Sequence, residues 1–402
     1  MTRRPVLTGS TARATAAHRP LAVVLVCLLF MTLLVFPRVC LAQEQMSQSD
    51  DPTQQQDEFY IGQVLDVIDE GAEDLGGGYI QPFRTVRLEL LDGPREGDEM
   101  TITQYGEGVS AEGGEMEPGD KVVVGRGPTA DGEGWFILDH YRIPAAIMVF
   151  LLFLGLAVAF GRLKGLTAIV GLLFSIGVLA LYVVPGILDG KSPLVVSLIG
   201  AFVIAVFSLF LAHGFNRRTS IALLATLATL MLAAVLAVAF VSLARLTGLG
   251  SEDAFYLKLG LGEINLRGLL LGGIILGSLG VLDDITTTQV AAVNEIKKAN
   301  PALSSRELYR RGNSVGVEHI ASMINTLALA YLGAALPLFL LFAANQYQPF
   351  WVIMNSQIIM EEVMRTLVGS AALVCAVPVS TLLAVHMLNK PNSVTVEKPN
   401  SL

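Results

Sequence analysis

The sequence predicts an α-helical polytopic membrane protein with a small all-β domain on the N-terminal side of its membrane helices. Hydrophobic residues make up 53% of the 402 residues and charged residues only 15%, and the mean hydropathy is +0.60. Soluble proteins carry about a quarter charged residues. Seven long apolar segments fill the C-terminal part, and short alternating segments precede them. This composition excludes a collagen, a coiled coil, a disordered chain and a nucleic-acid-binding module.

The acidic residues are concentrated in one stretch of the chain. Residues 43–142 contain 23 Asp and Glu against 6 Lys and Arg, which is a net charge of −17. The residues before and after this stretch are net positive, and the whole chain carries −8. Such a stretch is expected to form a separate, water-exposed unit that repels nucleic acid and anionic lipid headgroups.

Residues 1–42 have the pattern of a signal peptide or of an uncleaved signal anchor. Basic residues precede an apolar run at 21–36, and Cys40 and Ala42 place small side chains where a signal peptidase cleaves. The run is short for a membrane span, and Pro37 and Arg38 interrupt the usual exit, so both alternatives stay open. Either one places the following residues outside the cytoplasmic membrane.

A polar linker at 43–58 leads into an acidic extracytoplasmic β domain at 59–142. Val86, Leu88 and Leu90 alternate with charged residues, which is typical of a half-buried strand. Four further short runs, separated by Gly- and Pro-rich turns, complete the set: the five predicted strands are 59–67, 85–91, 99–105, 121–125 and 135–140. Five short antiparallel strands favour an OB-like barrel. Residues 66–74 are expected to form a solvated acidic loop.

The transmembrane helical domain is predicted at 143–388, followed by a cytoplasmic tail at 389–402. Its seven spans are 143–160, 166–188, 193–213, 219–244, 268–292, 314–343 and 361–387, each long enough for a bilayer core of about 30 Å. If the β domain is outside, the inside segments hold eleven Lys and Arg and the outside segments five. This bias agrees with the signal pattern and predicts a multi-pass protein of the cytoplasmic membrane with a cytoplasmic C-terminus.

The fifth span combines glycines with acidic residues. Glycines at i and i+4 share one helix face and allow close helix packing, and they are Gly268, Gly272, Gly273, Gly277 and Gly280. Asp283 and Asp284 follow them, and a carboxylate within an apolar helix costs several kcal/mol unless it is neutralised, paired or hydrated. Thr287 and Thr288 each lie four residues after one of these acids and on its face. The alternative is that the span ends early and Asp283 already lies at the interface.

The sixth span carries Glu318, Ser322 and Asn325 at i, i+4 and i+7, which is one helical face. The depth of Asp284 on the antiparallel fifth span falls between the depths of Glu318 and Asn325. The two helices are therefore predicted to face each other across a polar seam that is reached from the cytoplasm. His319, beside Glu318, is expected to be a surface or hydrogen-bonded residue.

The membrane half resembles the YibE/F family of bacterial multi-span membrane proteins. The resembling motifs are GRLKGL at 161–166, GFNRR at 214–218, LTGL at 246–249, RGLL at 267–270, GVLD at 280–283, NTL at 325–327 and YLG at 331–333. The resemblance implies a membrane protein often suspected to be a transporter, with an extracytoplasmic domain before its spans. Two positions depart from the family: its acid at Asp283 is usually single, and an Arg-Asp pair usually stands where this chain has Glu318 and His319.

Two functions compete. The first is a transporter or permease whose polar seam handles a cation, a proton or a small solute, because intramembrane carboxylates are the usual sites for such cargo. The second is a membrane-anchored scaffold or sensor whose acidic domain binds an envelope protein. An enzyme is disfavoured, since Asp283 and Asp284 point about 100° apart and cannot form an aspartyl dyad. The sequence predicts no catalytic residue, no metal site and no cofactor, and its expected surroundings are the lipid bilayer.

Overall fold

The computed structural model describes residues 58–74, 80–105, 115–129, 132–261, 264–344 and 348–388. They form two compact units, one within Leu41–Ala159 and the other within Phe160–Leu402. The predicted signal segment at 1–42, all but the last residue of the linker at 43–58 and the predicted tail at 389–402 lie outside the described residues.

Five antiparallel strands form the β domain of the first unit, as the alternating pattern predicts. They are β1 (Glu58–Asp74), β2 (Ile80–Leu90), β3 (Glu99–Tyr105), β4 (Lys121–Thr129) and β5 (Gly132–His140), hydrogen-bonded in the order β3-β2-β1-β4-β5. The alternating residues Val86, Leu88 and Leu90 are fully buried, because one face of β2 lines the core of the sheet. The remaining buried core residues are Val64, Ile102, Val122, Val124 and Ile137.

The β1–β2 hairpin is longer than the sequence predicted, and the expected acidic loop at 66–74 is wrong. These residues belong to β1, which stays paired with β2 as far as Asp74 and Ile80, with two register shifts on the way. Opposite charges face each other across the extended part of the hairpin. Glu70 accepts from the buried Arg84 at 2.6 Å, and Asp66 lies 3.7 Å from Arg87.

Barrel closure would require β3 and β5, the two edge strands, to pair. Their Cα atoms approach within 8 Å, but no hydrogen-bonded ladder joins them within the described part of the domain. The structure therefore establishes a small five-stranded antiparallel sheet, and the OB-like barrel stays a prediction.

The second part of the chain is helical. Its elements are α1 (Ile143–Val178), a π-helical turn (Leu179–Val183), α2 (Val184–Leu188), α3 (Pro193–His213), α4 (Arg217–Leu243), α5 (Glu252–Leu261), α6 (Leu266–Ala299), α7 (Ser305–Ala334), α8 (Leu336–Ala343), α9 (Phe350–Met354) and α10 (Gln357–Leu388). Six stretches within the described residues are long and apolar enough to cross a membrane: Ile143–Leu188, α3, α4, α6, α7 and α10. The protein is a multi-pass membrane protein.

The two predicted spans at 143–160 and 166–188 lie in one tract, which is why six candidate helices are found instead of seven. Ile143–Leu188 contains 46 residues, which would extend about 69 Å at 1.5 Å per residue. A bilayer core is about 30 Å thick. Arg162 interrupts the tract with φ 50° and ψ −133°, values outside the helical region.

In the π-helical turn the backbone N–H of Val184 donates to the carbonyl of Leu179, which lies five residues earlier instead of the four of an α-helix. Val183, at its end, packs on Gly200 of α3. A Cβ at Gly200 would lie only 2.6 Å from Cγ2 of Val183, so a glycine is needed for this approach.

Helix α6 lies at the centre of the helical unit and packs against α3, α4, α7 and α10. The largest core cluster is built from apolar residues that these helices turn toward one another. It includes Ala201, Ile204, Leu230, Ala233, Ile275, Leu282, Ile285, Ala372 and Ala376. Several polar side chains of α6, including Thr286 and Gln289, are therefore buried among the neighbouring helices, and the candidate site lies on this helix.

Candidate functional site

Asp283 is turned toward α3. Its Oδ2 accepts a hydrogen bond from the hydroxyl of Ser208 at 3.2 Å. Its Oδ1 is buried and has no hydrogen-bond partner within the described residues. A carboxyl group inside an apolar bundle needs a proton, a cation or further donors, because its charge is otherwise uncompensated. Asp283 is therefore the incomplete polar group around which a site can be built.

Asp284 points away from Asp283 and is exposed. Successive residues on an α-helix are about 100° apart, which is why the two carboxyls separate. Asp284 interacts electrostatically with His213 at the C-terminal end of α3. Asp283 thus contacts α3, whereas the sequence had predicted that the two acids face the sixth span.

The two threonines predicted to accompany the acids behave differently. Thr287 is buried, and its hydroxyl donates to the backbone carbonyls of Asp283 at 2.8 Å and of Asp284 at 3.0 Å. Threonine in a helix commonly bonds back to the preceding turn, so this hydroxyl does not reach either carboxyl. Thr288 is exposed and lies on the side of α6 that faces α7.

A cavity of about 280 Å³ lies between α6 and α7. Thr288 lines it from α6, while Glu318, His319 and Ser322 line it from α7. Nε2 of His319 is buried without a hydrogen-bond partner among the described residues. This cavity contains the part of the predicted seam that the structure brings together: Thr288, Glu318 and Ser322.

Asn325 belongs to the same face of α7 but does not line the cavity, and its side chain is exposed. The seven predicted site residues therefore divide. Asp283 contacts α3, the three cavity residues lie between α6 and α7, and Asp284, Thr287 and Asn325 join neither group.

The five glycines of α6 lie on two faces. Gly268 and Gly272 approach Pro193 and Ser197 of α3, and a Cβ at Gly272 would lie 2.4 Å from the hydroxyl of Ser197. Gly277 lies near the hydroxyl of Tyr331 on α7, at 3.3 Å from its Cβ position. A Cβ at Gly273 or Gly280 would meet no described atom of a neighbouring helix within 4 Å.

Sequence reasoning missed two polar positions. Ser208 lies in the apolar α3, and nothing in its local sequence distinguishes it from a serine that bonds its own helix. Gln289 is buried and donates to the carbonyl of Gly312 at 2.8 Å and to the hydroxyl of Thr381 at 2.7 Å, which ties α6 to α7 and α10. An amide deep in a membrane helix, only five residues after an acid, was the available signal for Gln289.

A second buried carboxyl lies at the opposite end of the bundle. Glu361 accepts from the backbone N–H of Gly250 at 3.1 Å and from the amide of Gln357 at 2.7 Å. Gln357 also donates to the hydroxyl of Thr247 at 2.6 Å. These bonds hold the loop that contains the LTGL motif against α10, and they satisfy Glu361 locally.

Residues 149–390, more than half of the chain, match the family described as YibE/F-like protein. The chain belongs to the YibE/F-like family. The matched range contains Asp283, Glu318 and both helices that line the cavity. No curated protein and no solved structure matches the chain. The description of the YibE/F-like family names no substrate and no reaction.

Proposed function

We propose that this protein is a transporter or permease that moves a cation or a proton through the membrane, with Asp283 as the binding group. The observation that carries the proposal is the incomplete hydrogen bonding of the Asp283 carboxyl. One oxygen has a single hydroxyl donor at 3.2 Å, and the other is buried without a described partner. A bound proton or cation would supply the missing interaction.

The α6–α7 cavity supports the same proposal, because it offers a second polar binding site. The carboxyl of Glu318, the imidazole of His319 and the hydroxyl of Ser322 line it, and such groups can bind a hydrated cation or a proton. The cavity lies on a different side of α6 from the Asp283–Ser208 contact. A transported proton or cation would therefore pass around α6 between the cavity and Asp283.

The proposed orientation has seven crossings, with the β domain outside and the C-terminus inside. Two crossings would lie within Ile143–Leu188, since 46 helical residues exceed twice the length that one crossing needs. The excess of basic residues in the segments at 161–165, 214–218 and 293–313 supports the cytoplasmic placement of these segments.

Transport is tested with the purified protein in lipid vesicles, using a panel of protons and mono- and divalent cations. Asp283→Asn keeps the shape of the side chain and removes its charge, so it is expected to abolish flux. Asp189→Asn makes the same chemical change on an exposed turn and is expected to retain full flux. Asp284→Asn is expected to have a smaller effect than Asp283→Asn, because Asp284 is exposed.

Equal flux for Asp283→Asn and the intact protein, at equal amounts of folded protein, would overturn the assignment of the site. Fluorescence-detected melting of each variant separates loss of transport from loss of folding.

Orientation is tested with single cysteines in a background where Cys27, Cys40 and Cys375 are replaced by Ala. Glu96→Cys lies on an exposed turn of the β domain, and Ala302→Cys lies in the exposed segment between α6 and α7. A membrane-impermeant thiol reagent applied to intact cells is expected to label the first and not the second. The reverse pattern would contradict the proposed orientation.

The alternative function is a scaffold or sensor in which the β domain binds an envelope protein. The long β1–β2 hairpin favours it, because many of the acidic side chains on this ribbon are exposed. A scaffold needs no ion path. Wild-type behaviour of Asp283→Asn in cells, combined with loss of function when the exposed acids Asp69 and Glu73 are changed to Asn and Gln, would favour this second role.

A further inference from the structure

Helix α7 is the most polar of the candidate spans and is nevertheless poorly covered by the other helices. It has the lowest mean hydropathy of the six candidate spans, yet only 6% of its most apolar stretch is buried. The corresponding share is 56% for both α6 and α10. Lipid chains offer no hydrogen bonds, so the most polar span should be the best covered one.

Residues on most sides of α7 are exposed, and one of these exposed sides has a regular spacing. Ser314, Ala321, Asn325 and Leu332 are all exposed and follow one another at i, i+7, i+11 and i+18. Glu318 and Ala328 fill the gaps at i+4 and i+14, and the six positions together alternate by four and three residues, the spacing that lines up on one face of paired helices. We define the four residues named first as the α7 seam. The opposite side of the helix holds Gly312 and Gly316, which pack against α6 and α10.

Contact between the α7 seam and lipid costs free energy, because the amide of Asn325 would have no hydrogen-bond partner there. Asn325 lies 20 residues after the start of α7 and 18 residues before the end of α8, about 30 Å and 27 Å of helix. Its amide can make several hydrogen bonds, and none is formed within the described residues. A polar partner in the membrane is needed to satisfy it.

We infer that the α7 seam is the contact surface for a second copy of this chain, with the two α7 helices packed about a two-fold axis. An amide both donates and accepts, so Asn325 of one copy can pair with Asn325 of the other. Ser314 and Ala321 are small and let the two helices approach closely. The inference concerns assembly and does not depend on the transport proposal.

Glu318 limits the strength of this dimer. It lies seven residues before Asn325, on nearly the same side of α7, and it also lines the cavity beside α6. Two ionised carboxylates brought near one axis repel each other. A neutral amide at this position should therefore hold the dimer at least as well as the acid does.

The geometry is tested by cross-linking in native membranes, in a background where Cys27, Cys40 and Cys375 are replaced by Ala. Ala321→Cys lies on the seam, so an oxidant is expected to give a disulfide-linked dimer. Thr326→Cys is the matched control, because it is also exposed and lies five residues, about 7.5 Å, further along α7, but is turned about 140° away. Ser314→Cys is a second seam position in case Ala321→Cys is poorly expressed. No dimer at either seam position, or equal dimer at Thr326→Cys, would overturn the inference.

The strength of the contact is tested by single-molecule photobleaching in vesicles over a range of protein-to-lipid ratios. Asn325→Leu is expected to weaken dimerisation roughly three- to thirty-fold, the range of hydrogen-bond effects between membrane helices. Thr326→Val is expected to leave it unchanged, and Glu318→Gln is expected not to weaken it. Monomers at every ratio for the intact protein, or equal dimerisation of Asn325→Leu and Thr326→Val, would rule out this surface.

Discussion

Helices α6 and α7 are neighbours, and both carry amides, hydroxyls and carboxyls at membrane depth. On α6 the buried side chains of Thr286 and Gln289 find partners on other helices: Thr286 bonds Thr226 of α4 at 2.6 Å, and Gln289 bonds groups on α7 and α10. On α7 the residues Glu318, Ser322 and Asn325 are exposed. Buried polar groups on α6 therefore hold the bundle together, whereas Asp283 is incompletely paired and Asp284 and Thr288 are exposed. The polar groups on α7 remain available to cargo or to another chain.

The largest effect that tests this comparison is the loss of a buried amide. Gln289→Ala removes two hydrogen bonds and leaves a cavity, so it is expected to lower the free energy of unfolding by about 2–4 kcal/mol. Asn325→Ala removes an exposed amide and is expected to change it by less than about 0.5 kcal/mol in the monomer.

Reversible unfolding in dilute mixed micelles, where the protein is monomeric, measures both values. Similar costs for the two amides would mean that α6 and α7 do not differ in the way described.

A smaller effect is expected from two adjacent glycines of α6. Gly272→Ala would place a methyl group 2.4 Å from the hydroxyl and 3.1 Å from the Cβ of Ser197, so we expect a loss of about 1–2 kcal/mol. Gly273→Ala meets no described atom of a neighbouring helix within 4 Å, and alanine favours a helix over glycine, so this variant should gain up to about 1 kcal/mol. Opposite signs in the same unfolding assay are the expected result, and equal signs would contradict the two-face description of these glycines.

The smallest effect is expected from a matched pair of threonines. Thr226 and Thr326 both donate to the carbonyl four residues earlier, at 3.0 Å and 3.1 Å, but only Thr226 also reaches another helix. Thr226→Val should therefore cost about 0.6 kcal/mol more than Thr326→Val, the average hydrogen bond between membrane helices. No measurable difference would show that the bond between α4 and α6 adds little to stability.

Several features followed directly from the sequence, because they depend on local patterns. Alternation in β2 identified the buried residues Val86, Leu88 and Leu90, and long apolar runs identified the membrane helices. The β1–β2 extension was missed, since residues 66–74 read as a polar loop until Glu70 is set opposite Arg84 on the paired strand.

The sequence identified several polar residues of the candidate site, but it did not show which of them lie together in the folded bundle. The angle between Asp283 and Asp284 follows from helix geometry, but which neighbouring helix each acid meets depends on the order of helices in the bundle. That order placed α3 beside Asp283 and left α7 beside Thr288. The serine that contacts Asp283 could not be found locally, because Ser208 lies in an unbroken apolar helix.

The π-helical turn at Leu179–Val183 marks a place where the length of the chain can change by one residue at little cost. Such a turn holds one residue more than an α-helical turn, as the bond from Val184 to Leu179 records. Deleting Ala180 should convert it into ordinary helix and leave the direction of every later side chain unchanged. Deleting one residue in the middle of α3 would instead rotate all that follows by about 100°. Relatives of this chain that are one residue shorter are expected to carry the gap at this turn.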